Sequence, residues 1–163
     1  MDIHASLNVL SRWPLEWSVL GIFLLIVSAE NVRAGTNKAT SLALALPLAY
    51  LLFGIAQHAA GLQTVLAQLQ GPAAQAALFG ALTMLSYLFV HRAVSFFGTS
   101  SAQILPALLA GIATTVIVLV FWMQVAALDS IWRFSAQIQS IFGETYRFWW
   151  LLAAYLLLAL ARS

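Results

Sequence analysis

Apolar residues run along this chain in long blocks separated by short polar clusters, and the blocks set its elements. From Ser18 to Ala29 every residue is apolar or small. With its flanks, about 15–32, this block reaches the roughly 20 residues that a bilayer span requires. A compact polar island, Glu30 to Ser41, follows. Beyond it the pattern predicts a second span over about 41–57, a third over about 73–97 and a fourth over about 103–128. A last apolar run between Arg147 and Arg162 predicts a short fifth span over about 146–161. At the helical rise that run is about 21 Å long, and its flanking arginines can snorkel to the headgroups.

Two further stretches carry helical spacing without enough length to cross. Leu62, Val65, Leu66 and Leu69 predict an amphipathic helix over about 61–70, and Ile131, Phe134, Ile138, Ile141 and Phe142 predict another over about 130–142. Both read as helices lying at the membrane interface. Pro47 stands inside the second span, where it removes a backbone hydrogen bond. A membrane bundle tolerates such a proline when a neighbour covers the freed carbonyl.

Composition turns these blocks into a fold class. Of 163 residues, 63% are hydrophobic and 7% charged, against about 25% charged in a soluble domain. No Asp, Glu, Lys or Arg occurs between Lys38 and Arg92, nor between Arg92 and Asp129. In hydrocarbon the backbone must bond to itself, and the absence of period-two alternation excludes a barrel. The expectation is an all-α, polytopic transmembrane helical bundle: about five spans and two interfacial amphipathic helices in one integral membrane domain, residues 1–163.

Charge adds orientation and removes function classes. With five spans, Arg33, Lys38, Arg92 and Arg162 fall on one side and Arg12, Arg133 and Arg147 on the other. The richer side is cytoplasmic by the positive-inside rule, which puts the polar island inside and the N-terminus outside. A net charge of +2, scattered along the chain, gives no nucleic-acid footprint. Without cysteine there are no disulfides, thiolate metal sites or cysteine nucleophiles. The sequence carries no nucleophile motif, phosphate loop or His/Glu metal spacing, so neither an enzyme nor a cofactor is expected. His58 and His91 fall toward opposite membrane faces, so one haem cannot take both. The first span could also be a secretory signal cut after Val27-Ser28-Ala29, although Glu16 abuts its apolar core and Arg12 is the only basic residue ahead of it.

Candidate functional positions are few. Glu30 and Arg33 are three apart and can pair at the membrane boundary, with Gly35 and Lys38 in the same island. His91 and Arg92 lie within snorkelling reach of the headgroups at the end of the third span. Ala77, Gly80 and Ala81 on the third span, and Ala107, Gly111 and Thr115 on the fourth, form small-residue faces of the kind that let membrane helices approach closely. They predict that spans three and four pack as a hairpin. The expected partners are the lipid bilayer and either another protein or further copies of this chain.

From Leu15 to Tyr50 the order of features is an apolar span, Arg33-Ala34-Gly35, then a Ser/Leu/Ala-rich span beginning at Ser41. This resembles the colicin V production protein family, small bacterial inner-membrane proteins with four predicted spans. The small-residue fourth span, from near Gly98 through Gly111, is a second similarity. The chain departs from the family pattern in three ways. Ala34 separates Arg33 from Gly35, Glu16 or nothing stands where an early aspartate is expected, and the C-terminal run is more apolar than the family's polar tail. The resemblance implies a bacterial inner-membrane accessory protein, non-enzymatic, in secretion or envelope homeostasis. A pore-forming or transport component, using Gln103, Thr114, Thr115 and Gln124, is the alternative reading. A structural subunit of a larger membrane complex is the other.

Overall fold

The computed structural model describes residues 15–58, 71–95 and 104–161, and these form seven helices with no strand. In chain order they are α1 (Leu15–Ala34), α2 (Asn37–Ala56), α3 (Pro72–Ser95), α4 (Ile104–Gln124), α5 (Ala126–Ile131), α6 (Ala136–Phe142) and α7 (Arg147–Leu160). The first four are long and apolar enough to cross a membrane, and α7 is a shorter apolar helix. The helical membrane architecture expected from the sequence is what the chain adopts. The interfacial helix expected over 61–70 lies outside the described residues, as do Arg12, Gln103 and Arg162.

The polar island is mostly helix instead of linker. Helix α1 continues through Glu30 and Arg33 to Ala34, and α2 opens at Asn37, four residues before the expected start at Ser41. Only Gly35 and Thr36 separate them. Gly35 has φ 78°, the left-handed conformation that ends a helix and that a Cβ penalises. The tight reversal lays α1 and α2 side by side.

The bundle is apolar on its outside as well as in its core. On α1 the large residues Leu15, Val19, Ile22, Leu25 and Ile26 face outward, while Ser28 and Asn31 are buried. The outward stripe meets hydrocarbon at no cost, and the small and polar residues permit close helix contact. Helix α2 is, with α4, one of the two inner helices. Its Ala39, Ala43, Ala45 and Ala49 are buried, and it packs against α1, α3 and α4. Phe53 of α2 meets Phe79 of α3 edge-on with ring centroids 5.8 Å apart, and Tyr50 of α2 meets Phe121 of α4 at 5.9 Å.

The expected α3–α4 hairpin is corrected by this arrangement. The principal partner of α3 is α2, while α4 packs on α1, α7 and α2. The small face of α4 closes on α1: a Cβ built on Gly111 would come 3.2 Å from the Ser28 Cα. Small residues marked α4 as a close-packing helix but could not say against what.

The fourth span and the helix after it also differ from expectation. Helix α4 ends at Gln124 instead of 128, because buried Val125 is extended (φ −87°, ψ 106°). The single interfacial helix expected over 130–142 is two short helices, α5 and α6, with an extended Trp132 (φ −142°, ψ 109°) between them. Side chains satisfy the main chain of this break. The Glu16 carboxylate accepts the Ser135 N–H at 2.8 and 3.0 Å, Trp122 Nε1 donates to the Trp132 carbonyl at 3.2 Å, and Gln139 Nε2 to the Phe134 carbonyl at 2.8 Å. Backbone groups with side-chain partners no longer need a helix to satisfy them.

Candidate functional site

The polar positions singled out in the sequence lie toward the end of the bundle that holds the α1–α2 turn. Glu30 accepts an ion-pair hydrogen bond from Lys38 across that turn. Sequence spacing paired Glu30 with Arg33 instead. Continuous helix does put both on α1, but the reversal at Gly35 brings the ammonium of Lys38 onto the carboxylate. Arg33 is exposed on the last turn of α1, and Arg92 is exposed near the end of α3.

One helical turn deeper, α2 and α3 are joined by Ser41 and His91. The Ser41 hydroxyl donates to the Asn37 carbonyl at 2.7 Å, and His91 Nδ1 lies 3.3 Å from the same oxygen. With its hydrogen donated to Asn37, the Ser41 oxygen can accept from an Nδ1–H tautomer of His91. Tyr87 stacks on the imidazole, 5.4 Å between centroids and 8° between planes. His91 is thus a helix-to-helix clasp. His58 follows the far end of α2, about 25 Å along the helix from Ser41 at the helical rise. Among the described residues no three His, Cys, Asp or Glu side chains gather where a metal could sit.

The small-residue positions divide into two groups. Ala107 and Gly111 are buried in the bundle and Thr115 is half-buried. By contrast, Ala77, Gly80 and Ala81 are exposed, and a Cβ added to Gly80 would touch nothing within 4 Å. The polar residues weighed for a pore also separate. Thr114 and Thr115 each donate to a carbonyl of their own helix, Ala110 and Gly111, at 2.8 Å. They line two different cavities.

A cavity of about 590 Å³ opens between α1 and α3 over a floor of α2 and α4. Glu30 and Lys38 stand at one end, and Trp122 and Leu128 line its far part. Asn31 lines it too, is 2% exposed, and its Nδ2 has no hydrogen-bond partner.

Three structural contacts escaped the sequence. One is the hold of Glu16 on Ser135. Another is Arg147, whose Nη2 donates to the Met123 carbonyl at 3.4 Å, a cation set against the C-terminal end of α4 where the helix dipole favours it. The third is Tyr155 on α7, whose hydroxyl donates to the Ala43 carbonyl at 2.8 Å. In a regular helix that carbonyl would take the N–H of residue 47, and residue 47 is proline. Pro47 was the signal that a donor was needed there, but nothing local named the donor.

Compared with known proteins, the chain matches no protein-family model, no curated protein and no solved structure.

Proposed function

We propose that this chain is a non-enzymatic accessory protein of the bacterial inner membrane, acting in secretion or envelope homeostasis through helix–helix contact with a partner or with its own copies. The observation that carries this reading is the division of the small-residue faces. The face on α4 is closed within the bundle, whereas Ala77 and Ala81 of α3 remain open toward the bilayer. Lipid needs no small residues, but a second helix does, because only a low shelf lets two backbones approach. The polar end supports the same reading: Glu30, Lys38, Ser41 and His91 are engaged with one another or with backbone, and so act as fasteners. In this reading the α1–α2 turn faces the cytoplasm, following the basic-residue margin.

The test is reconstitution of the full chain beside an Ala77→Leu/Ala81→Leu variant. A partner chain, or a self-associated form, that is kept by the wild type and lost from the variant is the expected result. Ion or solute flux through liposomes that depends on Thr114 or Thr115 would overturn it in favour of a pore.

A further inference from the structure

The residues between α5 and α6, 132–135, belong to no helix. This strap meets the start of α1, where the Glu16 carboxylate accepts the Ser135 N–H at 2.8 and 3.0 Å. Among the described residues, no other hydrogen bond joins the strap to α1. Behind it lies an apolar cavity of about 330 Å³ between α1 and α4. Ile131, Trp132 and Phe134 line this cavity beside Glu16, and Phe23 and Thr115 line its deeper part.

A carboxylate makes the tie dependent on protons. Ionised, it gives the Ser135 N–H a charge-assisted bond, roughly twice as strong as a neutral one. Protonated, it keeps only a carbonyl oxygen that accepts more weakly. The other charges at this end are engaged with each other: Asp129 with Arg133 at 3.5 Å, and Glu144 with Arg147 at 4.0 Å. Helices α4 and α6 carry no charged residue, and α1 carries none between Glu16 and Glu30. Of the three carboxylates here, Glu16 is the one that holds main chain instead of a cation.

We propose that residues 132–135 form a proton-sensitive lid over this cavity, held shut by the ionised Glu16 carboxylate and loosened when that carboxylate takes up a proton. The device works the same way whichever side of the membrane this end meets. In the orientation given by the basic residues it answers to the external medium.

The amide that Glu16 holds is itself the reporter. Exchange at the Ser135 N–H is followed by NMR in full-length protein in micelles, at about pH 7.5 and about pH 4, and expressed as protection so that the intrinsic pH dependence of exchange is removed. Protection is expected to be about fivefold lower in acid, the step from a charge-assisted to a neutral hydrogen bond. The Val125 amide, bonded to the Phe121 carbonyl at 3.1 Å, is expected to keep its protection. Glu16→Gln, whose amide oxygen mimics the neutral acid, is expected to show the lower value at both pH values. Wild-type protection that does not change with pH overturns the proposal, and that arm needs no variant. So does a pH dependence that survives in folded Glu16→Gln, or an equal loss at Val125, which is loosening of the whole end. Entry to the cavity is read separately. The chain has no cysteine, so Thr115→Cys places a single thiol in its deeper part. At one fixed pH, labelling by a small thiosulfonate reagent is expected to be about fivefold faster once Glu16→Gln is added. Equal rates show that the strap does not govern entry, and the lid is then abandoned.

Discussion

Gly35 and Gly111 do different jobs with the same missing side chain, and each makes a measurable prediction. At Gly35 the need is conformational, since φ is 78°, and Gly35→Ala is expected to cost about 1 kcal/mol by left-handed strain. Unfolding in a denaturing detergent series measures it. At Gly111 the need is space. A Cβ there would fall 2.1 Å from Ser28 Oγ and 3.2 Å from Ser28 Cα. The hydroxyl can rotate away but the backbone must move, so Gly111→Ala is expected to destabilise by about 1–3 kcal/mol, the range for overpacking. Adding Ser28→Gly should return part of the loss, and a double-mutant cycle measures how much. These glycines stood out in the sequence as a position in the polar island and as part of a small-residue face. Glu16 was not. Its partner is a main-chain N–H 119 positions away, and no local pattern announces a carboxylate whose work is to hold a distant loop. Glu16→Ala is expected to loosen residues 132–135 and raise their amide hydrogen exchange.

Among the elements, the kinked α2 and the distant α7 are coupled through one carbonyl. The Tyr155 hydroxyl supplies the hydrogen bond that Pro47 cannot, so the two residues are expected to be non-additive. Tyr155→Phe should cost about 1–2 kcal/mol in the native background, where it leaves Ala43 without a partner. In a Pro47→Ala background the cost should fall toward zero, because the new N–H of residue 47 takes over the carbonyl. A cycle of unfolding free energies checks this, and equal costs in both backgrounds would sink the account. Element existence was readable because uncharged apolar blocks of this length have few alternatives in a bilayer. Element pairing was not readable. The stripes on α3 and α4 announce close approach without addressing it, and the break at Val125 depends on side chains from α1 and α4 meeting the loop in space. The amphipathic spacing over 130–142 was real, but it is shared by two short helices.

For the molecule as a whole, the charge-free intervals fixed the class and the Arg and Lys distribution gave an orientation that the bundle geometry leaves open. Reporter fusions after Gly35 and in the α4–α6 connection are expected to read cytoplasmic and external respectively. Replacing both Arg33 and Lys38 by Glu should shift that reading. The same geometry bears on the signal-peptide alternative, because cutting after Ala29 would take away the helix that seats Ser28 against Gly111. The bond from Tyr155 to Ala43 has one more consequence, which concerns time. The two residues lie 112 positions apart, and α2 leaves the ribosome long before the tyrosine is made. During that interval the Ala43 carbonyl lacks the donor that α7 later brings to it. Chains interrupted before residue 155 should therefore insert yet turn over faster, and pulse-chase turnover of such truncations beside Tyr155→Phe would show how much of that loss one hydroxyl accounts for.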